Sequence, residues 1–133
     1  REAVMLPVTI AIPTYRREAL LVRTIEHLLA LEDRAAEILV LDQTERHEPA
    51  TDAALSALNA SGAIRWFRLP DPSIPQAMNH GLALAQEPIV LFVDDDIRPR
   101  PQLVRAHWLA HAEPHSGGLV AGRVIQPWEE DAE

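Results

Sequence analysis

The sequence predicts an α/β fold, a mostly parallel sheet with helices on both faces. Three observations predict it. Apolar runs alternate with amphipathic stretches four times in succession. Each β-α-β crossover of that kind is right-handed and lays its strands parallel. With 133 residues, 47% of them hydrophobic, the chain is long enough for one domain, spanning 1–133, with a sizeable core.

The elements follow in order. Val8-Thr9-Ile10-Ala11-Ile12 is a β-branched apolar run stopped by Pro13, which reads as a buried strand. Glu18 to Leu31 is a helix, with Leu21, Ile25, Leu28 and Leu29 at helical spacing and an acid in the first turn. Ile38 to Leu41 is a short strand ending in Asp42. Thr51 to Ala60 is a helix capped by Thr51 and stopped by Asn59 to Gly62. Ile64 to Leu69 is a strand closed by Pro70-Asp71-Pro72. Gln76 to Ala85 is a helix, with Pro75 suited to its first turn. Ile89 to Val93 is a strand that runs into Asp94-Asp95-Asp96. Pro101 to Ala112 is a helix, and Leu119 to Ile125, after Gly117-Gly118, is the fifth strand. Residues 126–133 form an acidic tail expected to fray.

Charge and composition exclude several classes. Twelve basic residues, every one an arginine, stand against 20 acids, for a net charge of −8. That balance argues against a nucleic-acid partner or an anionic membrane surface. The absence of cysteine removes disulfides, thiolate metal sites and cysteine nucleophiles. No apolar run approaches the roughly 20 residues of a membrane span, and Arg1 to Pro7 is too short and mixed for a signal peptide.

In a parallel sheet, ligands bind beyond the carboxyl ends of the strands. The informative residues should therefore be Pro13 to Arg17, Asp42 to Thr44, Pro70 to Pro75 and the acidic triplet. In an extended segment, residues two apart share a side, so Asp94 and Asp96 converge while Asp95 turns away. Two such carboxylates repel unless a cation or a proton lies between them. A hard divalent ion suits them and leaves positions for phosphate oxygens. The alternative is a solvated acidic loop. The turn Pro13-Thr14-Tyr15-Arg16-Arg17 has no glycine, which excludes a dinucleotide fingerprint, and a P-loop would need a lysine.

Several segments resemble family 2 glycosyltransferases, whose fold is called GT-A. They are Val8 to Arg17, Glu37 to Thr44, Pro75 to Leu82 with its Asn79-His80-Gly81, Ile89 to Asp96 with its D-x-D, and Gly118 to Val124. Their order and separations carry the resemblance across nearly the whole chain. It implies a Rossmann-like nucleotide-diphospho-sugar transferase architecture and metal-dependent transfer of a sugar, usually with inversion. By that resemblance Asp94 and Asp96 hold Mn²⁺ or Mg²⁺, and Asp94 or Asp95 also touches the ribose. Pro13, Thr14 and Tyr15 line the nucleoside pocket, and Asp42 lies where the family reads the base. Asn79 pins a loop or touches the donor, with a helix-terminal structural role as the alternative.

This chain departs from the family pattern in three places. Gln43 stands where a second acid is common, Ser73 stands near a usual glycine, and Met78 stands where the family often has arginine. Arg16, Arg17 or Arg98 could supply the missing phosphate contact. The resemblance further implies that these residues are the donor-binding half of an enzyme. The general base and the acceptor contacts are then expected beyond residue 133. The acceptor (polysaccharide, glycolipid or protein) is open. An apolar edge where further chain packs could drive self-association. A cytoplasmic location, with a peripheral position at the inner membrane face as a variant, follows from the donor's location and the absence of signals.

Two other readings compete. One is a non-catalytic nucleotide-sugar-binding module. The other is an Asp-x-Asp phosphatase, which would place its motif on the first strand and want a lysine. His107, His111 and His115 are set aside as zinc ligands, because Trp108 stands where the catalytic Glu of such a helix belongs. Ser116 lacks a nucleophile elbow. Trp66, Phe67, Trp108 and Trp128 are expected to pack.

Overall fold

A computed structural model describes residues 4–111 and the backbone of residues 120–125. Its elements are β1 (Val4–Thr14), α1 (Ala19–Leu29), β2 (Asp33–Asp42), α2 (Pro49–Ala60), β3 (Arg65–Arg68), α3 (Ile74–Leu84), β4 (Ile89–Val93), α4 (Leu103–His111) and β5 (Val120–Ile125). The five strands form one sheet in the order β3-β2-β1-β4-β5, and every neighbouring pair is parallel. All nine expected elements are present.

β1 and β2 run longer than their apolar cores suggest. β1 passes through both Pro7 and Pro13, and its pairing with β2 shifts register between Leu6 and Thr9. A proline has no N–H for the ladder, so the chain slips there rather than ending. Val4 to Leu6 pair with Asp33 to Ala35, which extends β2 upstream of Ile38.

The helix ends also differ. Glu48 rather than Thr51 is the N-cap of α2, with Pro49 in the first turn. Glu18 caps α1 without a side-chain cap bond, because its carboxylate is engaged elsewhere. Ser73 caps α3 by accepting from the backbone N–H of Gln76 at 3.3 Å.

The sheet buries two unequal faces. On one, Val8, Ile10, Ile12, Ile38, Val40 and Leu91 meet Leu21, Ile25 and Leu28 of α1, Leu55 of α2, and Leu103 and Val104 of α4. On the other, Ala11, Leu39, Leu41, Val90 and Phe92 meet α3, the one helix on that face among the described residues, through Ala77 and its neighbours. α3 comes close because residue 81 is glycine. A Cβ there would lie 3.0 Å from Leu41 Cδ1 and 3.0 Å from Phe92 Cε1. The glycine of Asn79-His80-Gly81 thus serves helix-sheet packing. Among the described residues, no helix is long and apolar enough to cross a membrane.

Candidate functional site

The strand order places β1 in the middle, with the chain proceeding first toward β2 and β3 and later toward β4 and β5. The loops leaving β1 and β4 therefore part company and open a crevice at the carboxyl end of the sheet, the usual ligand position in such folds. A cleft of about 440 Å³ lies there, lined by Pro13, Thr14, Tyr15, Arg17, Ile74, Asp94, Asp95 and Asp96. All of these fall in the segments expected to carry the site, brought to one cleft from three separate stretches of the sequence.

The triplet departs from simple strand alternation. β4 ends at Val93 and the chain turns at Asp95 and Asp96, so all three acids border the cleft. Their bonding differs. Asp95 is partly buried; it accepts from Thr14 Oγ1 at 2.8 Å and from Arg17 Nε at 3.1 Å. Arg17 also reaches Asp96 at 3.5 Å. Asp94 has no hydrogen-bond or ion-pair partner among the described residues. Burial pushes the Asp94 carboxyl above its ordinary pKa, and the charges of Asp96 and Asp95 add to the effect. Burial likewise raises Asp95, against the Thr14 bond and the Arg17 charge.

Asp95 is thus a strut that ties β4 to β1, rather than a side chain turned away. Thr24 reinforces the strut: its hydroxyl donates to the Asp95 carbonyl at 3.0 Å. The loop after β1 is held by its backbone too. Arg16 adopts φ +58°, and its N–H donates to Thr44 Oγ1 at 2.8 Å. A left-handed arginine is strained, and strain of this kind concentrates at functional loops.

Asp42, expected to read a base, and its neighbour Gln43 are committed to the protein instead. Asp42 has no exposed surface. Its Oδ2 accepts from His47 Nε2 at 2.5 Å and from Trp66 Nε1 at 2.8 Å, and its Oδ1 accepts from the Thr44 N–H at 3.0 Å. Gln43 Nε2 donates to the carbonyls of Asp71 and Ser73, both at 2.8 Å, and so positions the turn before α3. The physical reason is burial: polar groups at a closed strand end must find partners, and neighbouring loops supply them. Gln43 still borders a second recess, about 470 Å³, with Thr44, Glu45, Arg68, Leu69 and Pro70. Asn79 is exposed on α3 and does not line the cleft.

Sequence reasoning missed His47. Its side chain is fully buried, with Nδ1 against Glu18 at 3.1 Å and Nε2 against Asp42. Both ring nitrogens face carboxylates, so the doubly protonated ring satisfies both. Burial opposes that charge, but the Asp42 and Glu18 contacts outweigh it and raise the His47 pKa. Burial also works against the Glu18 carboxylate, but bonds from the Glu48 N–H, His47 and Thr51 prevail and hold its pKa below the ordinary value. The one sequence signal is a histidine shortly after a strand-ending acid.

Other expectations can be placed. His111 Nδ1 donates to the His107 carbonyl at 2.9 Å, within α4. Trp108 packs on the larger core, as does Trp66, while Phe67 packs on the smaller. The acidic motif follows β4 rather than the first strand, unlike the phosphatase pattern. His115, Ser116, Trp128, the acidic tail and the side chains of β5 lie outside the described residues. No group of three or more His, Asp or Glu side chains among the described residues is arranged as a ready-made metal cage.

Comparison with known proteins agrees with this architecture. The model of the family named glycosyl transferase family 2 matches residues 9–132. A validoxylamine A glucosyltransferase of Streptomyces hygroscopicus subsp. limoneus is 28% identical over 116 residues, covering 86% of this chain and 26% of that protein. Its counterpart in subsp. jinggangensis is 32% identical over 123 residues, covering 86% and 28%. The chain thus spans about a quarter of the length of these curated relatives. A mannosyltransferase from Pyrobaculum calidifontis, solved in complex with GDP-Man and Mn²⁺, has the same fold. It superposes with a TM-score of 0.66 at 19% identity, over 81% of this chain and 33% of that one.

Proposed function

The chain belongs to glycosyl transferase family 2 and has the GT-A fold. From that premise we propose that it holds a nucleotide-diphosphate sugar in the cleft between β1 and β4 for metal-dependent, inverting transfer to an acceptor. The observation that carries this is the unpartnered Asp94 beside Asp96 at the strand crossover. Asp94, raised in proton affinity by burial and by its acidic neighbours, and the adjacent Asp96 carboxylate suit a hard divalent cation. Such an ion accepts one or two protein carboxylates and takes its remaining ligands from phosphate and water, so the lack of a full protein cage among the described residues fits.

Asp94 and Asp96 would hold Mn²⁺ or Mg²⁺, which when bound would polarise the donor's phosphate oxygens. The other roles belong to the chain itself. Pro13 and Thr14 present backbone to the nucleoside, and Tyr15, 37% exposed, offers it a ring face. Arg17 keeps Asp95 and Asp96 in place and leaves part of its fork for a phosphate. With Asp42 sealed, the recess bordered by Gln43 and Arg68 is the place for the base. The span of about a quarter of the relatives supports the donor-binding half as the part in hand. The general base and acceptor contacts then belong to further chain, and glycan, lipid and protein acceptors all fit.

Thermal melting against UDP, GDP, TDP and CDP, each with and without Mn²⁺, tests the proposal. Ligand at about 100 times its dissociation constant adds about 2.7 kcal/mol. The expected result is a shift for one nucleotide that needs the metal and is lost in Asp96→Ala. Metal-dependent affinity unaltered by Asp96→Ala would overturn it.

A further inference from the structure

A third recess lies on the other side of the acidic turn. It is about 170 Å³ and is lined by Leu20, Arg23, Thr24 and His27 of α1 and by Asp96, Ile97 and Arg98. Its walls are fixed relative to each other, because the Thr24 hydroxyl donates to the Asp95 carbonyl and lies 3.3 Å from that of Ile97. Ile97 is buried beneath it. Arg23 and His27 are one helical turn apart and share one face of α1. Arg98 comes from the opposite wall. None of the three has a hydrogen-bond or ion-pair partner among the described residues. Asp96 is the one acid on the described wall, and Arg17 already engages it from the cleft side. The next acid along α1, Glu26, does not line the recess; it borders an adjoining groove that Arg23 also reaches.

Two guanidinium forks and an imidazole around a hollow of this size match a compact dianion. Arginine forks bind phosphate oxygens in pairs. A neutral sugar would not require the cations. In a chain of net charge −8, an anion gains nothing from the overall field and must be held by local cations of this kind.

We propose that this recess binds a phosphomonoester carried by the acceptor, which seats the acceptor against the donor cleft across the shared wall of Asp96. The inference rests on the donor-site reading for its partner in the reaction, but not for the binding itself. Two sources offer the same group, a soluble sugar phosphate and a phosphorylated lipid headgroup.

The test is titration of the chain with inorganic phosphate, followed by NMR of the His27 imidazole and the arginine Nε–H signals. Saturable binding in the millimolar range is expected, weakened at least about tenfold in Arg23→Gln and in Arg98→Gln. The Mn²⁺-dependent nucleotide shift should survive Arg23→Gln. No saturable binding, binding indifferent to both substitutions, or phosphate displaced by the nucleotide would each overturn the proposal. Phosphate binding with a flat nucleotide panel would leave this site standing and remove the donor reading; the reverse pattern would do the opposite. Glucose 6-phosphate and phosphatidylcholine vesicles doped with phosphatidic acid then separate the sources. Arg23-dependent binding of either supports the proposal, and binding of neither overturns it.

Discussion

Two groups of carboxylates stand at the ends of nearby strands, and the fold treats them in opposite ways. At the end of β2, Asp42 is sealed from solvent and bonded to His47, Trp66 and the Thr44 N–H, with Glu18 closing the far side of the imidazole. At the end of β4, two of three consecutive acids, Asp95 and Asp96, share one arginine, and Asp94 has no hydrogen-bond or ion-pair partner among the described residues. The first group has its charge answered by the protein and ties four elements together. The second keeps unanswered charge beside an open cleft. A carboxylate neutralised inside the fold is architecture; one left short of counter-charge at a strand end is a place for a ligand.

The strongest way to break the comparison is Asp42→Ala. It strands a buried imidazolium and an indole N–H, and should cost about 3–5 kcal/mol. A urea midpoint that falls with an unchanged slope would check it. A cost under about 1 kcal/mol would mean that the β2 group is not a structural hub. Trp66→Phe removes one donor from Asp42 and keeps the ring, so a loss of about 1 kcal/mol is expected by the same titration. Asp94→Asn should act in the other direction. It relieves like-charge repulsion, so the apo chain should gain a few tenths of a kcal/mol while the metal-dependent nucleotide shift disappears. Lower apo stability in that variant would place Asp94 with the architecture.

The smallest effect expected is in the pH profile of melting. The folded chain binds the His47 proton more tightly than the unfolded chain does. That contribution is complete below the ordinary histidine value of 6.5 and fades as pH rises through the raised folded value. Asp94 and Asp95 have raised values too, so the apo chain gains stability as pH falls through them toward 3.8. Glu18 opposes this, since its contribution is lost as pH falls below 4.5 through its lowered value. His47→Gln should flatten the segment above pH 6.5, and Mn²⁺ should flatten only the acidic segment. A profile with the His47 segment unchanged in His47→Gln would remove the buried imidazolium.

Much of this is legible in the residues. The alternation of apolar runs locates every strand and helix. The acids after Val93 and the Pro13-Thr14-Tyr15 turn mark the cleft, because each follows a strand in a fold whose ligands sit at strand ends. The misses have a common cause. Thr51 has the chemistry of a cap, but Pro49 starts the helix earlier and leaves Thr51 inside it. Pro13 has the chemistry of a strand end, but β1 is sandwiched between β2 and β4, and its ladder with β2 carries it to Thr14. Asp42 and Gln43 resemble ligand contacts because nothing local shows that His47, Trp66 and the carbonyls of Asp71 and Ser73 already occupy them.

The sequence by itself determined the α/β class, the parallel topology and which strand ends carry polar chemistry. These depend on hydrophobic period and on residues adjacent in the chain, which act over a few positions. Only the tertiary structure decided which carboxylates are free. That depends on groups tens of residues away, Thr14 and Arg17 on Asp95 and Trp66 on Asp42, brought within hydrogen-bond reach by the sheet. A charge's role is set by what neutralises it, and neutralisation is a short-range contact that exists only once the strands have paired.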